Sequence, residues 1–284
     1  MKTFLISLAA LVSFSFVGAS AKEEWKGYDY KLSIAAIFQN DAPYLEEWIE
    51  YHKRVGVEHF YLYDNLSTDN PDAVLAKYIK TGDVELVKWP NCPANMGFWG
   101  YTTQPAAYRD ALAKAQWKSQ WLALIDTDEF LVPMTHKKVS TLLKKEFAWY
   151  KAIYANWRMF GTGGVTCPDH KILKRLTLCA KVENVWNQTG KSIVRPEYVI
   201  GCIDPHYCIL KEGIVYRGGD GEELHSGHNA KYIRINHYTF RDETFLHGVK
   251  KARSEAWNQP FQDLLDKNAE FSDVRDTKIL KLLK

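Results

Sequence analysis

The segment Asp126-Thr127-Asp128-Glu129-Phe130 is the strongest chemical signal in the chain. Two carboxylates one residue apart on an extended segment fall on the same side and can reach one ion. Hard divalent cations such as Mn²⁺ or Mg²⁺ suit carboxylate oxygens, and a departing nucleotide diphosphate needs such a cation to neutralise its charge. The motif follows directly on Trp121 to Ile125, an apolar run expected of a buried strand. A further carboxylate, Asp64, ends the run Val57 to Tyr63. At a strand end an acid accepts hydrogen bonds from a ribose or base, or simply caps a turn such as Asp64-Asn65.

These acids need a frame. Leu32 to Phe38 is a nearly continuous apolar run, and Asn40-Asp41-Ala42-Pro43 then sets capping residue types ahead of a proline. Tyr44 to Val55 has Leu45, Trp48, Ile49 and His52 at helical spacing, and Gly56 ends it. The strand Val57 to Tyr63, the helix Pro71 to Lys80 and the strand Val84 to Val87 follow. After the loop Pro90 to Gly100 come the helix Gln104 to Lys118 and the strand Trp121 to Ile125. This alternation predicts an α/β fold with a doubly wound, Rossmann-like and mostly parallel central sheet flanked by helices. Ligands of such sheets sit beyond the carboxyl ends of the strands. Asp64 and Asp126 both fall there.

The second half is less regular. Gly161 to Gly164 and Gly218 to Gly221 mark loops, Lys191 to Arg195 and Tyr232 to Asn236 are strand-like, and Phe261 to Lys284 reads as an amphipathic helix or tail. No linker divides the chain. A single domain over 22–284 is expected, with a nucleotide-binding half at about 32–133 and an acceptor half at about 134–250.

The 284 residues, 46% hydrophobic, suffice for a large core. Aromatic content of 14% suits a protein that stacks sugars, and equally an aromatic core. A formal charge of +3 without a dense basic run argues against nucleic acid as a partner. Lys2, the apolar stretch Phe4 to Val17 and Ala19-Ser20-Ala21 read as a signal peptide over 1–21, with a signal-anchor as the alternative. Secretion or export is therefore expected, with no stable membrane span afterwards. Export permits disulfides. Cys167 with Cys179 and Cys202 with Cys208 are candidate local bridges, while the odd count with Cys92 leaves a thiol over.

The stretch from Asn40 to His52, continued by Gly56 to Asn65, resembles the opening of the family 92 glycosyltransferases and their family 2-like relatives. The likeness runs on through Gln104, Trp121 to Pro133, Trp157 to Gly164, Lys191 to Pro196 and Asn236-His237-Tyr238, covering roughly Leu32 to Arg253. It implies a GT-A fold, a nucleotide-sugar donor that is often UDP-galactose, and inversion at the anomeric carbon. On that resemblance Asp126 and Asp128 are the D-x-D pair, His237 is a third metal ligand and Asp64 is the nucleoside-binding acid. Asn40, Gln104, Lys191 and Arg195 join the donor site, the last two against the diphosphate.

Inversion also needs a carboxylate that accepts the proton of the acceptor hydroxyl. Asp204, Glu222 and Glu223 are the candidates, with the Glu222-Glu223 pair favoured by its place in a glycine-opened loop. A catalytically inactive carbohydrate-binding relative is the competing expectation. A metal-dependent phosphoesterase ranks lower, because such sites gather more His and Asp ligands than one D-x-D supplies.

Overall fold

Alternate residues of the first strand, β1 (Tyr30–Phe38), serve two different cores. Leu32, Ile34, Ala36 and Phe38 pack with Leu45, Trp48 and Ile49 of helix α1 (Ala42–Arg54) on one face. Ala35 and Ile37 pack with Ala107, Tyr108 and Ala111 of the helix Gln104–Ala115 on the other. That division follows from the two-residue period of a strand buried on both sides.

The computed structural model describes residues 27–91 and 102–284. The expected leader, Cys92 and most of the loop Pro90 to Gly100 lie outside the described residues. After α1 come β2 (His59–Asp64), α2 (Pro71–Lys80), β3 (Val84–Lys88), α3 (Gln104–Ala115), β4 (Ser119–Leu124), β5 (Glu129–Pro133) and α4 (Val139–Glu146). The second half supplies β6 (Ala152–Met159), β7 (Leu178–Cys179), β8 (Gly190–Val194), β9 (Val199–Cys202), β10 (Cys208–Leu210), β11 (Tyr216–Gly218), β12 (Ile233–His237), a helix Phe261–Glu270 and β13 (Val274–Arg275).

The main sheet has the order β3-β2-β1-β4-β8-β6-β12-β5, with β11 also paired to β6. β1 to β4 pair in parallel, as the sequence predicts. β8 then enters antiparallel between β4 and β6, and β5 closes the far edge antiparallel to β12. The architecture is α/β with a mostly parallel sheet and flanking helices. The expected helices and strands of the first half recur within a few residues of their sequence bounds, whereas β5, α4 and most of β6 have no counterpart in the sequence reading. No helix of the described residues is long and apolar enough to cross a membrane.

Cys167 and Cys179 are both buried and unbridged, and Cys179 Sγ accepts from Arg158 Nε at 3.2 Å. Cys202 and Cys208 face each other across β9 and β10, with their Sγ atoms 2.6 Å apart, and are likewise unbridged.

Candidate active site

The acidic motif is not extended. Glu129 N donates to Asp126 O (3.1 Å) while Asp126 N donates to Glu129 Oε2 (3.0 Å), so a tight turn joins β4 to β5. The expected strand-like alternation of Asp126 and Asp128 is thereby corrected: a turn, not a pleat, separates them. Helix α1 pins the far side. Trp48 Nε1 donates to Glu129 O (2.8 Å), Tyr51 OH donates to Leu131 O (2.8 Å), and Leu131 N donates to His52 Nε2 (3.2 Å). β5 is an edge strand, and these three side chains satisfy backbone groups that no neighbouring strand reaches. Burial brings His52 down to about 3, so it stays neutral and bridges Trp48 O to Leu131 N.

Asp126 is gripped from two sides. Gln104 Nε2, at the start of α3, donates to its Oδ1 at 2.5 Å, and Lys191 Nζ, on β8, donates to its Oδ2 at 2.9 Å. The Lys191 side chain is 1% exposed and that of Asp126 33%. Burial opposes the lysine's charge, but Asp126 and Glu129 outweigh it and raise its pKa. Glu129 is sealed, and burial pushes it up to about 7 against the pull of Lys191.

Asp128 faces His237. The pairing of β12 with β5 sets His237 opposite Glu129, and Tyr238 N donates to Asp128 O (2.9 Å). His237 Nε2 consequently lies 3.5 Å from Asp128 Oδ1. Burial disfavours both charges, yet each holds the other ionised: Asp128 falls well below the usual carboxylate range and His237 rises. Asp128 Oδ1, Glu129 Oε1 and His237 Nδ1 are buried without a hydrogen-bond partner. Among the described residues no three His, Cys, Asp or Glu side chains form a metal cluster by themselves. A Mg²⁺-type ion needs only one or two protein carboxylates when substrate phosphates complete its shell. Asp128 and His237 fit such an ion.

Cations that the sequence reading missed stand beside this pair. Arg241 is buried, with Nη2 2.7 Å from Asp41 Oδ1 and its guanidinium 4.0 Å from the centre of the Tyr44 ring. Its Nε and Nη1 are buried and unpaired. Asp41 Oδ2 in turn accepts from Thr127 Oγ1 (2.5 Å), so the expected capping acid of α1 is spent on this network and gives α1 no side-chain cap. Burial lowers Lys250 to about 8, although Asp128 pulls the other way. An Arg four residues after His237 was the available signal.

The remaining candidates divide by place. Asp64 ends β2 on the ligand-binding edge, where it accepts from Ser67 N (3.1 Å) and Lys88 Nζ (2.9 Å). Asn40 ties the loops after β1 and β2 together, its Oδ1 accepting from Thr68 N at 2.7 Å. Asp204 sits in the β9–β10 turn with Oδ1 accepting from His206 N and Tyr207 N. Arg195 is not brought to the site. It lies past the end of β8 nearest the start of β4, donating to Ala148 O (2.6 Å) and stacked over Trp121. Glu222 and Glu223 fold back along the outer edge of β11, where Gly218 N donates to Glu222 O and Glu223 bridges Arg217. Neither makes a contact with Asp126, Asp128 or Lys191.

The family model for glycosyltransferase family 92 matches residues 28–281, and the chain belongs to that family. Similar curated proteins include a glycosyltransferase family 92 protein of Arabidopsis thaliana, 27% identical over 207 residues, which are 68% of this chain and 34% of the relative. Another, of Oryza sativa subsp. japonica, is 27% identical over 230 residues, 77% of this chain and 35% of that protein. The chain thus spans about a third of the length of these relatives. Solved structures with some likeness include S. aureus TarS (14% identity, TM-score 0.38, 67% of this chain and 61% of that one). Glucosyl-3-phosphoglycerate synthase from Mycobacterium tuberculosis, in complex with Mn²⁺, UDP and glucosyl-3-phosphoglycerate, is another (12% identity, TM-score 0.33, 60% and 58%). Likenesses this distant carry no argument about the site.

Proposed function

We propose that the protein is a metal-dependent glycosyltransferase that moves a sugar, galactose being the first candidate, from a UDP-linked donor to a hydroxyl of a glycan or glycoconjugate. The observation that carries this reading is the Asp128–His237 pair. It brings a carboxylate and an imidazole, with orphaned buried atoms, to the ligand edge of the sheet in a family 92 chain. When bound there, Mn²⁺ or Mg²⁺ supplies charge neutralisation of the leaving diphosphate.

The chain's own residues do the rest. Asp64, on the β2 side, suits the nucleoside, with Lys88 yielding to it. Arg241, with two buried unpaired N–H groups and an electrostatic pull on Asp128, suits the diphosphate, as does Lys250. Lys191 holds Asp126 in place. Inversion forms the bond from the acceptor oxygen to the anomeric carbon as the bond from that carbon to the phosphate oxygen breaks. The hydroxyl proton passes to a carboxylate. Asp204 is the best placed of the three candidates, because its Oδ2 accepts no hydrogen bond from the described residues and its turn reaches the residue before Lys191 through His206 Nδ1, 2.9 Å from Gly190 O. The expected leader fits this chemistry in a secretory lumen where nucleotide sugars are supplied.

Incubation with a panel of UDP-sugars and Mn²⁺, scored for UDP release, tests the reading. Turnover of one donor that Asp204→Asn cuts by about 10²-fold or more is expected. No release from any donor favours the silent carbohydrate-binding alternative, for which the remoteness of Glu222 and Glu223 speaks.

A further inference from the structure

A cavity of about 760 Å³ opens between Tyr154, the segment 185–189 and the β9–β10 turn at Asp204 to Tyr207. That volume lies within the roughly 300–1,000 Å³ range of small-molecule sites. Its position in the sheet is informative. Asp64 stands on β2 and Asp126 follows β4, whereas the cavity stands over β8 and β6, on the opposite side of the Asp126–Lys191 pair. The nucleoside end and this cavity therefore flank the acidic turn from two sides.

The cavity joins that turn through side chains. His206 packs on Trp157 (ring centres 5.3 Å apart), and Trp157 packs on His237 (4.4 Å). His206 Nδ1 lies 2.9 Å from Gly190 O, adjoining Lys191. Donation from Nδ1 to that carbonyl leaves Nε2 as an acceptor. Tyr207 lies flat against Tyr154, with ring centres 4.3 Å apart and planes 2° from parallel, and is 40% exposed. One face of its ring is thus backed and the other open. Asp204 has Oδ1 tied to the turn amides while Oδ2 accepts no bond from the described residues. Gln188 and Thr189 add an amide and a hydroxyl at the wall.

An open aromatic face beside uncommitted acceptors and donors matches a pyranose, whose C–H face is apolar and whose rim is hydroxylated. The lining residues include no lysine or arginine to hold a phosphate, and an anion would meet Asp204. We propose that this cavity binds the terminal pyranose of the acceptor, with Tyr207 as the stacking platform and His206 Nε2 and Asp204 Oδ2 receiving its hydroxyls. This assignment rests on the transferase reading for the word acceptor, but not for the binding of sugar.

The test uses the full chain without donor. Methyl β-galactopyranoside, methyl β-glucopyranoside and methyl N-acetyl-β-glucosaminide are screened by saturation-transfer NMR and titrated by intrinsic fluorescence, while UDP with Mn²⁺ is titrated separately. The expected result is weak, saturable binding of at least one glycoside that Tyr207→Ala weakens at least about tenfold, with Tyr207→Phe close to wild type. UDP affinity stays the same in both variants. No glycoside binding to wild type, or equal binding to Tyr207→Ala, overturns the proposal. Glycoside binding lost in Tyr207→Ala together with no UDP binding at all sinks the transferase reading and leaves the sugar subsite standing.

Discussion

Lys191 donates to Asp126 at 2.9 Å from a position that is almost entirely buried, across the junction between the parallel and antiparallel parts of the sheet. The lysine comes from the irregular half of the chain and the aspartate from the regular half, and the ion pair locks the two together at the ligand edge. The pair is unequal, because the aspartate keeps partial access to water and the lysine does not.

Asymmetric burial sets the cost of breaking the pair. Asp126→Ala strands a buried ammonium that has lost its hydrogen-bonded partner, with Glu129 and Asp128 left only as neighbouring charges, and a loss of about 3–5 kcal/mol is expected. Lys191→Met removes the buried charge and leaves a carboxylate that water can still reach, so it costs less. Urea denaturation of both variants checks the order, and a larger loss in Lys191→Met contradicts it.

Arg241 offers a second handle. Its unpaired N–H groups are worth about 1.5–3 kcal/mol against a charged ligand, so Arg241→Ala should weaken UDP binding by about 10–100-fold. Uridine, lacking the diphosphate, should bind both proteins alike. Equal losses for UDP and uridine would mean that Arg241 acts only by holding Asp41 and Thr127.

His52 makes stability depend on pH. Its folded value of about 3 lies below the ordinary 6.5, so the unfolded chain takes up the proton first. The stabilisation from keeping it neutral is complete above pH 6.5 and declines by about 1.4 kcal/mol per pH unit as pH falls towards 3. Denaturation at pH 7, 6 and 5 should show a steeper fall in wild type than in His52→Asn. Parallel curves would contradict the burial argument.

Gly190 admits β8 to the sheet. A Cβ there would stand 2.2 Å from Ala155 O, a backbone atom that cannot step aside. Gly190→Ala is expected to cost about 1–3 kcal/mol or more and to weaken donor binding by displacing Lys191. A melting temperature equal to wild type would show that β8 and β6 can separate freely.

Much of the first half was legible because each β1-to-β4 strand is a short apolar run ended by a turn signal, and carboxylates stand at two of those ends. His237 was placed by resemblance, and the register of β12 on β5 explains its position. Side-chain partners were not legible: Lys191 closes on Asp126, whereas Arg195, past the end of β8, closes on Ala148 O. Glu222 and Glu223 return along β11, a course that a glycine pair opens as readily as a catalytic loop. Arg241 was invisible for a different reason: its role depends on Asp41, two hundred residues earlier, which local pattern assigned to capping α1.

Calorimetric titration of the full chain with UDP, with and without Mn²⁺, and of Asp128→Asn alongside, tests the central claim most directly. UDP binding that Mn²⁺ strengthens in wild type and does not strengthen in a folded Asp128→Asn variant is the expected result. UDP binding that ignores Mn²⁺ in wild type, or Mn²⁺-dependent binding that survives in Asp128→Asn, would contradict the assignment of Asp128 and His237 to the metal.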